Sequence, residues 1–202
     1  MDRIYFITHK TDKYSYIDSA KLALDNGIKL IQLRMKHSGL SQRMEAACIL
    51  KKECEKYKAK LIINDDYRLA LEVEADGVHL GQKDEAISLA RNVLKPFQII
   101  GRTCNTKEQI LQAYETKADY IGLGPYRFTS TKENLSPILG IEGYKDINLD
   151  IPIYAIGGIR LEDAKPLSET GIYGIAISSL ILESKEPEKK VKELRKYFKE
   201  II

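Results

Sequence analysis

Eight short apolar runs rich in Ile, Val and Tyr alternate with longer amphipathic stretches along a chain of 202 residues, with no linker or low-complexity tract between them. Strand–helix alternation of this kind predicts a parallel sheet covered by helices. Eight repeats in about 200 residues predict its closed form, a single (β/α)8 TIM barrel. The rival, an open doubly wound sheet, would be recommended by a strand–GxGxxG–helix or GxxxxGKS/T element, and the sequence contains neither. The whole chain, 1–202, reads as one domain.

The predicted strands are Ile4–Thr8, Lys29–Arg34, Lys60–Asn64, Gly77–Leu80, Gln98–Gly101, Tyr120–Gly124, Ile153–Ile156 and Gly174–Ser178. Each is a short β-branched or aromatic run bounded by polar or glycine-containing stretches. The predicted helices are Tyr16–Asn26, Gln42–Tyr57, Tyr67–Val73, Glu85–Asn92, Lys107–Lys117, Leu161–Glu169 and Pro187–Tyr197. In the second of these Met44, Ala47, Cys48, Leu50 and Lys51 keep near a 3.6 period. The last carries Val191, Leu194, Phe198 and Ile201 on one face, so its lysines form its solvated side. The longest loop, around Pro125–Pro137, follows the sixth strand, and long loops in compact domains are usually functional.

Composition narrows the class. Lys plus Arg number 32 and Asp plus Glu 29, a net charge of +3 that argues against a dedicated nucleic-acid or membrane-surface protein. Hydrophobic residues make up 44% and charged residues 30%, the mixture of a globular domain. No apolar stretch approaches the roughly 20 residues that cross a bilayer. The N-terminus lacks the basic-then-apolar layout of a secretory signal. Three cysteines, Cys48, Cys54 and Cys104, without CxxC spacing argue against a disulfide framework or structural zinc. A cytoplasmic protein is expected.

In a barrel of this kind the active site lies at the C-terminal ends of the strands. Alternation along the second strand puts Gln32, Arg34 and Lys36 on one face and Ile31, Leu33 and Met35 on the other. The apolar face packs on helices, so the polar face points into the barrel. A buried row of Gln, Arg and Lys calls for an anion. A wet edge strand is the plainer reading, but a closed barrel has no edge. The third strand runs into Asn64-Asp65-Asp66 and the fourth into Gly81-Gln82-Lys83-Asp84. Asp65 and Asp84 at neighbouring strand tops, beside that row, suit Mg²⁺ held by carboxylates plus substrate phosphate oxygens. Asp66 and Asp84 also read as helix N-caps.

The loop after the sixth strand contains Thr129-Ser130-Thr131-Lys132, a run of hydroxyls beside a lysine that reads as a phosphate clamp or as a plain polar loop. The seventh strand ends in Gly157-Gly158 and the eighth in Ile177-Ser178-Ser179 before a helix, where backbone N–H groups can approach an anion. Two anion sites result, one with metal and one without. His79, in mid-strand, reads as a satisfied interior histidine, and no Ser–His–Asp set or metal-spaced His pair is visible.

Together Gln32-Leu33-Arg34-Met35-Lys36, Ile63-Asn64-Asp65-Asp66, Gly77 to Asp84, Gly124-Pro125, Thr129 to Lys132 and Ala155 to Ile159 resemble the thiamine-phosphate synthase (thiamine-phosphate pyrophosphorylase) family. The resemblance covers nearly the whole chain. It implies a (β/α)8 barrel, an alkyl transferase joining a hydroxymethylpyrimidine diphosphate to a thiazole phosphate with release of pyrophosphate. It further implies that Gln32, Arg34, Lys36 and Asn64 bind the pyrimidine diphosphate and that Asp65 and Asp84 hold Mg²⁺ on its pyrophosphate. Thr129 and Thr131 would meet the thiazole end, Lys132 the pyrophosphate, and Gly158, Ser178 and the Ile177 backbone the thiazole phosphate. Arg34, Lys36 and Lys132 would then be the charge-stabilising catalytic set. The fifth strand departs from the family, with Thr103 where a serine is usual and Asn105 where a histidine is usual. Thr103 keeps a hydroxyl for the pyrimidine, whereas Asn105 cannot titrate. The alternatives are a thiazole tautomerase of the same barrel and a non-catalytic binder of thiamine phosphate. Small-molecule substrates are expected as partners, with no nucleic acid and no membrane, and a homodimer stays open.

Overall fold

The computed structural model describes residues 1–129 and 136–199. Thr131, Lys132 and Ile201 lie outside the described residues. Eight strands form a closed parallel barrel in chain order: β1 (Ile4–Ile7), β2 (Leu30–Leu33), β3 (Lys60–Asn64), β4 (Gly77–Leu80), β5 (Ile99–Cys104), β6 (Tyr120–Leu123), β7 (Ile153–Ile156) and β8 (Gly174–Ile177), with β8 pairing back to β1. The helices are α1 (Tyr16–Asp25), α2 (Leu40–Lys56), α3 (Tyr67–Glu72), α4 (Ile87–Val93), α5 (Lys107–Glu115), α6 (Ala164–Glu169), α7 (Ser179–Leu182) and α8 (Pro187–Tyr197). Between β6 and β7 the described residues hold only a 3₁₀ turn, Glu142–Tyr144. Its Tyr144 is buried and donates from its hydroxyl to the Leu123 carbonyl at 2.7 Å.

Local sequence explains the helix starts. Ser15 and Asp18 form a reciprocal capping box for α1, Thr106 caps α5, and Pro187 opens α8, where its missing N–H leaves no orphan. Asp66 caps α3 by accepting from the Leu69 amide at 2.9 Å. Asp84 does not cap: α4 begins at Ile87 behind Ala86, later than the predicted Glu85.

Two apolar layers follow from strand alternation. Outward-facing Ile4, Phe6, Ile31, Leu33, Leu61, Ile63, Val78, Ile100 and Ile121 pack against the helices. Inward-facing Tyr5, Ile7, Leu30, Ile62, Tyr120, Tyr154 and Ala176 fill the barrel. Three tyrosine rings meet edge-on there, Tyr5–Tyr120, Tyr5–Tyr154 and Tyr120–Tyr154, with centroids 5.8, 5.5 and 5.7 Å apart. Glycine makes room for them. A Cβ on Gly101 would stand 2.1 Å from Cζ of Tyr120.

That packing explains the main departure from the predicted elements. β5 runs on to Cys104, whereas the strand was expected to stop at Gly101. Gly101-Arg102-Thr103 has the composition of a turn, but the glycine serves the Tyr120 ring and Thr103 pairs with Gly122. Cys104 therefore lies in the strand, and burial pushes its thiol up to about 12.

Candidate active site

The C-terminal ends of the strands carry the polar side chains. Gln32 faces the barrel interior, 2% exposed, and donates from Nε2 to the Tyr5 hydroxyl at 2.6 Å. Arg34 and Lys36 stand beyond the last paired residue of β2, at the rim. The Arg34 amide donates to Thr8 Oγ1 at 2.9 Å, and Lys36 Nζ lies 3.4 Å from Asp65 Oδ2.

Asp65 sits in a three-residue turn at the end of β3. Its φ is +66°, a left-handed conformation that a non-glycine residue rarely takes, and the Asp66 amide donates across it to the Asn64 carbonyl at 2.8 Å. The Asp65 amide in turn donates to the His79 carbonyl at 2.8 Å, pinning the turn to β4. This backbone is strained and held from both sides, a combination that concentrates at functional sites.

Across the gap, Asp84 Oδ2 accepts from the Gly81 amide at 2.6 Å, and the Asp84 amide donates back to the Gly81 carbonyl at 3.1 Å. The short loop after β4 thereby aims the Asp84 carboxyl at Asp65. Burial first, then the hydrogen bond and charge of Asp65, push Asp84 up to about 6, against the opposing pull of the Gly81 amide and Lys36. The remaining strand ends complete the ring. Thr103 Oγ1 is 2.9 Å from His79 Nε2, and Gln82 Nε2 donates to the Thr103 carbonyl at 2.5 Å. Asn105 donates its side-chain amide to the Gly124 carbonyl.

The β6 loop is tied down at both stems. The Tyr126 and Arg127 amides donate to Ile156 and Gly157 carbonyls at 2.8 and 2.9 Å, and the Leu139 and Gly140 amides donate to Pro125 and Tyr126 carbonyls at 2.9 and 3.1 Å. Arg127 grips the buried Asp163 through both Nε and Nη2. Thr129, half-buried, follows the first stem. Gly158 has a φ of +66°, and a Cβ there would meet the Phe128 carbonyl oxygen at 2.5 Å, so only glycine fits this crossing. At the end of β8 the Ser178 Oγ is buried with no hydrogen-bond partner among the described residues. An orphaned hydroxyl at a strand end is a group waiting for an acceptor or donor.

Two cavities open at this face. One of about 260 Å³ is lined by Leu33, Met35, Lys36, Ser38, Arg43, Ile63, Asn64, Asp65 and Leu69. The other, about 370 Å³, is lined by Arg127, Phe128, Ile138, Gly158 and Arg160. The structure therefore brings Lys36, Asn64 and Asp65 together at one cavity and puts Gly158 at the other. Sequence reasoning missed Arg43, whose guanidinium donates to Asp66 at 2.9 Å while facing the first cavity. The only signal was its position in the first turn of the helix after β2. Among the described residues no group of three or more His, Cys, Asp or Glu could hold a metal. A cation here would be held by two carboxylates, with ligand oxygens completing its shell.

A closed parallel barrel of eight strands, with two carboxylates beside a lysine at the C-terminal ends of its strands, defines a protein of the (β/α)8 class. The comparisons narrow this further. The family model described as thiamine monophosphate synthase matches residues 4–181. A thiamine-phosphate synthase of Bacteroides thetaiotaomicron is 46% identical over 201 residues, covering 96% of each chain, and one of Phocaeicola vulgatus is 47% identical over 198 residues, covering 95% of each. The solved thiamine phosphate pyrophosphorylase of Pyrococcus furiosus superposes with a TM-score of 0.84 at 32% identity, over 97% of this chain and 95% of that one. The chain belongs to the thiamine monophosphate synthase family and is, by that membership, an enzyme. No helix among the described residues is long and apolar enough to cross a membrane.

Proposed function

We propose that the chain condenses 4-amino-2-methyl-5-(diphosphooxymethyl)pyrimidine with 4-methyl-5-(2-phosphooxyethyl)thiazole, or its carboxylate, to thiamine phosphate and pyrophosphate. The observation that carries the reading is the Asp65–Asp84 pair beside Lys36 at the barrel mouth. The bond from the pyrimidine methylene carbon to the diphosphate oxygen breaks first, its electron pair leaving with pyrophosphate. The aminopyrimidine ring delocalises the positive charge left on the methylene. The thiazole nitrogen then donates its lone pair to that carbon. No protein nucleophile or strong base is required, and the residues assigned to the mouth in this reading are cations, amides, hydroxyls and the two carboxylates that would hold the metal.

The residues have distinct tasks in this reading. Arg34 and Lys36, with Lys132 from the β6 loop, offset the charge growing on the leaving group in a site partly shielded from water. Gln32, Asn64 and Thr103 orient the pyrimidine. Thr129 and Thr131 meet the thiazole, while Gly158, Ile177 and Ser178 receive its phosphate, supported by the unpartnered Ser178 hydroxyl. Asp65 and Asp84 would hold Mg²⁺, which suits two carboxylates pressed together until one binds a proton more tightly than usual. When bound, such an ion would supply positive charge to offset the diphosphate. A cytoplasmic setting is supported by the three cysteines, all free thiols.

The test is pyrophosphate release with both substrates and Mg²⁺, each substrate then omitted in turn, with EDTA as control. Release that needs both substrates and metal is the expected result. Thiazole tautomerisation without condensation, or product binding without turnover, would replace the reading with one of its two rivals.

A further inference from the structure

Five side chains from five strands form one hydrogen-bonded chain through the barrel interior. Gln32 Nε2 donates to the Tyr5 hydroxyl at 2.6 Å, and the Tyr5 and Tyr120 hydroxyls meet at 2.9 Å. The Tyr120 hydroxyl lies 3.0 Å from His79 Nδ1, and His79 Nε2 lies 2.9 Å from Thr103 Oγ1. Gln32, Tyr5, Tyr120 and His79 are all buried. The two ends are residues that the proposed function assigns to the pyrimidine. The three in the middle have no task in it.

Counting hydrogens leaves two self-consistent directions for the chain, and the Gln32 amide selects one of them. A phenol has one hydrogen and a neutral imidazole one ring N–H. Burial raises both phenols well above the ordinary tyrosine range, so both keep theirs. Because the Gln32 amide donates to Tyr5, the Tyr5 hydrogen serves Tyr120 and the Tyr120 hydrogen serves His79 Nδ1. The ring proton is therefore on Nε2, donated to Thr103 Oγ1. Thr103 keeps its own hydrogen to donate outside the chain, and Gln32 keeps Oε1 as an acceptor. The opposite direction would put the proton on Nδ1 and make Thr103 donate into the ring. A mixed arrangement would leave a buried hydrogen unpaired or set two lone pairs against each other in a dry interior, so the favoured chain runs wholly one way or the other.

We infer that Tyr5, Tyr120 and His79 are positioning residues that set the polarity of pyrimidine recognition, holding Thr103 as a donor and Gln32 Oε1 as an acceptor. This rests on the proposed function and deepens it. A ligand spanning both ends must accept from Thr103 and donate to Gln32. A 4-aminopyrimidine does so through a ring nitrogen and the adjacent exocyclic amine, whereas the 4-oxo analogue presents N–H and carbonyl in the reverse order.

Two readouts on the full chain test this. The first is ¹⁵N NMR of the His79 ring in the ligand-free protein, where the neutral Nε2–H tautomer is expected, with the single-tautomer preference lost in Tyr120→Phe. The second is the ratio of kcat/KM for the 4-amino and 4-oxo pyrimidine diphosphates, expected to fall by about tenfold or more in Tyr120→Phe, the worth of one buried hydrogen bond. The KM for the thiazole phosphate should not move. Tyr5→Phe breaks the same chain one link earlier and substitutes for Tyr120→Phe if that variant does not fold. An Nδ1–H tautomer, or an unchanged ratio in a folded variant, would overturn the inference. If the parent turns over neither diphosphate, the functional reading fails by itself, and the tautomer still decides the direction of the chain.

Discussion

Asp84 and Asp65 face each other across the gap between the ends of β3 and β4, where Asp65 adds to burial in pushing the Asp84 carboxyl up, and Lys36 Nζ stands 3.4 Å from Asp65 Oδ2. Each partner is put there by its own backbone device. Asp65 sits in a left-handed turn pinned to the His79 carbonyl, and Asp84 sits in a loop closed on Gly81. Neither arrangement serves stability well, since two carboxylates brought together out of bulk water repel.

The pair has a measurable signature in metal-free solution. Asp84 is raised in the folded protein to about 6. An acid raised by folding binds its proton more tightly in the native state, so its contribution to stability grows as pH falls through about 6 and is absent above it. In EDTA the Tm of the parent should rise relative to Asp84→Asn as pH is lowered from 7.5 to 5, the variant being the more stable at 7.5. Mg²⁺ should raise the Tm of the parent at pH 7.5 and leave the variant unmoved. An Asp84→Asn protein less stable than the parent at pH 7.5 in EDTA would contradict this.

Gly101→Ala should be among the most damaging single-methyl substitutions in the barrel. Its Cβ would stand 2.1 Å from Cζ of a Tyr120 ring that is hydrogen-bonded to both Tyr5 and His79 and cannot swing away. Overpacking of this kind costs about 1–3 kcal/mol where neighbours can yield, and the upper end or more is expected here. Urea unfolding reads it; a loss under about 0.5 kcal/mol would mean the ring is free to move.

Strand–helix alternation made the barrel legible because parallel strands need crossovers, and the apolar periods mark them. The polar strand ends were legible too, since Lys36, Asp65, Asp84 and Gly158 each follow within four residues of the end of an apolar strand. β5 was misread because Gly101 looks like a turn residue in sequence and is in fact space for a ring from the next strand. Asp84 could be read as a helix cap because acidic residues favour that place, but a carboxyl already taken by the Gly81 amide does not serve α4. The Gln32-to-Thr103 chain was invisible because its members come from five strands, and nothing local announces their pairing. His79, by contrast, was readable as a satisfied interior histidine, and its ring nitrogens meet Tyr120 and Thr103.

Asp163→Asn should loosen the β6 loop. Burial alone would raise the Asp163 carboxyl, but the Arg127 hydrogen bond, the Arg160 amide at 2.9 Å and the Arg127 charge hold it below the usual carboxylate range. A lowered carboxyl contributes stability at pH values above its unfolded pKa, and that contribution is lost as pH falls through the folded value. With Arg127 itself half exposed, the substitution is expected to cost about 1–2 kcal/mol at pH 7. It should also raise the KM for the thiazole phosphate through Gly158, which the same loop packs against. Chemical denaturation at pH 7 and at pH 3 checks the sign, because the gap between parent and variant should close in acid.

Gly158→Ala should affect binding more than turnover. A side chain at φ +66° against the Phe128 carbonyl forces the glycine crossing apart, at a cost of about 1–3 kcal/mol. The expected result is a raised KM for the thiazole phosphate with an unchanged KM for the pyrimidine diphosphate. Equal changes in both would place the glycine outside the thiazole half of the site.

The central claim of the proposed function is that Arg34, Lys36 and Lys132 stabilise the departing diphosphate, and the rate of thiamine phosphate formation by Arg34→Ala and Lys132→Ala tests it most directly. Removing a preorganised charge-stabilising donor typically costs about 10²-fold or more in rate, and a loss of that size is predicted for each variant, with the fold intact by circular dichroism. Near-normal turnover by both variants would contradict the account.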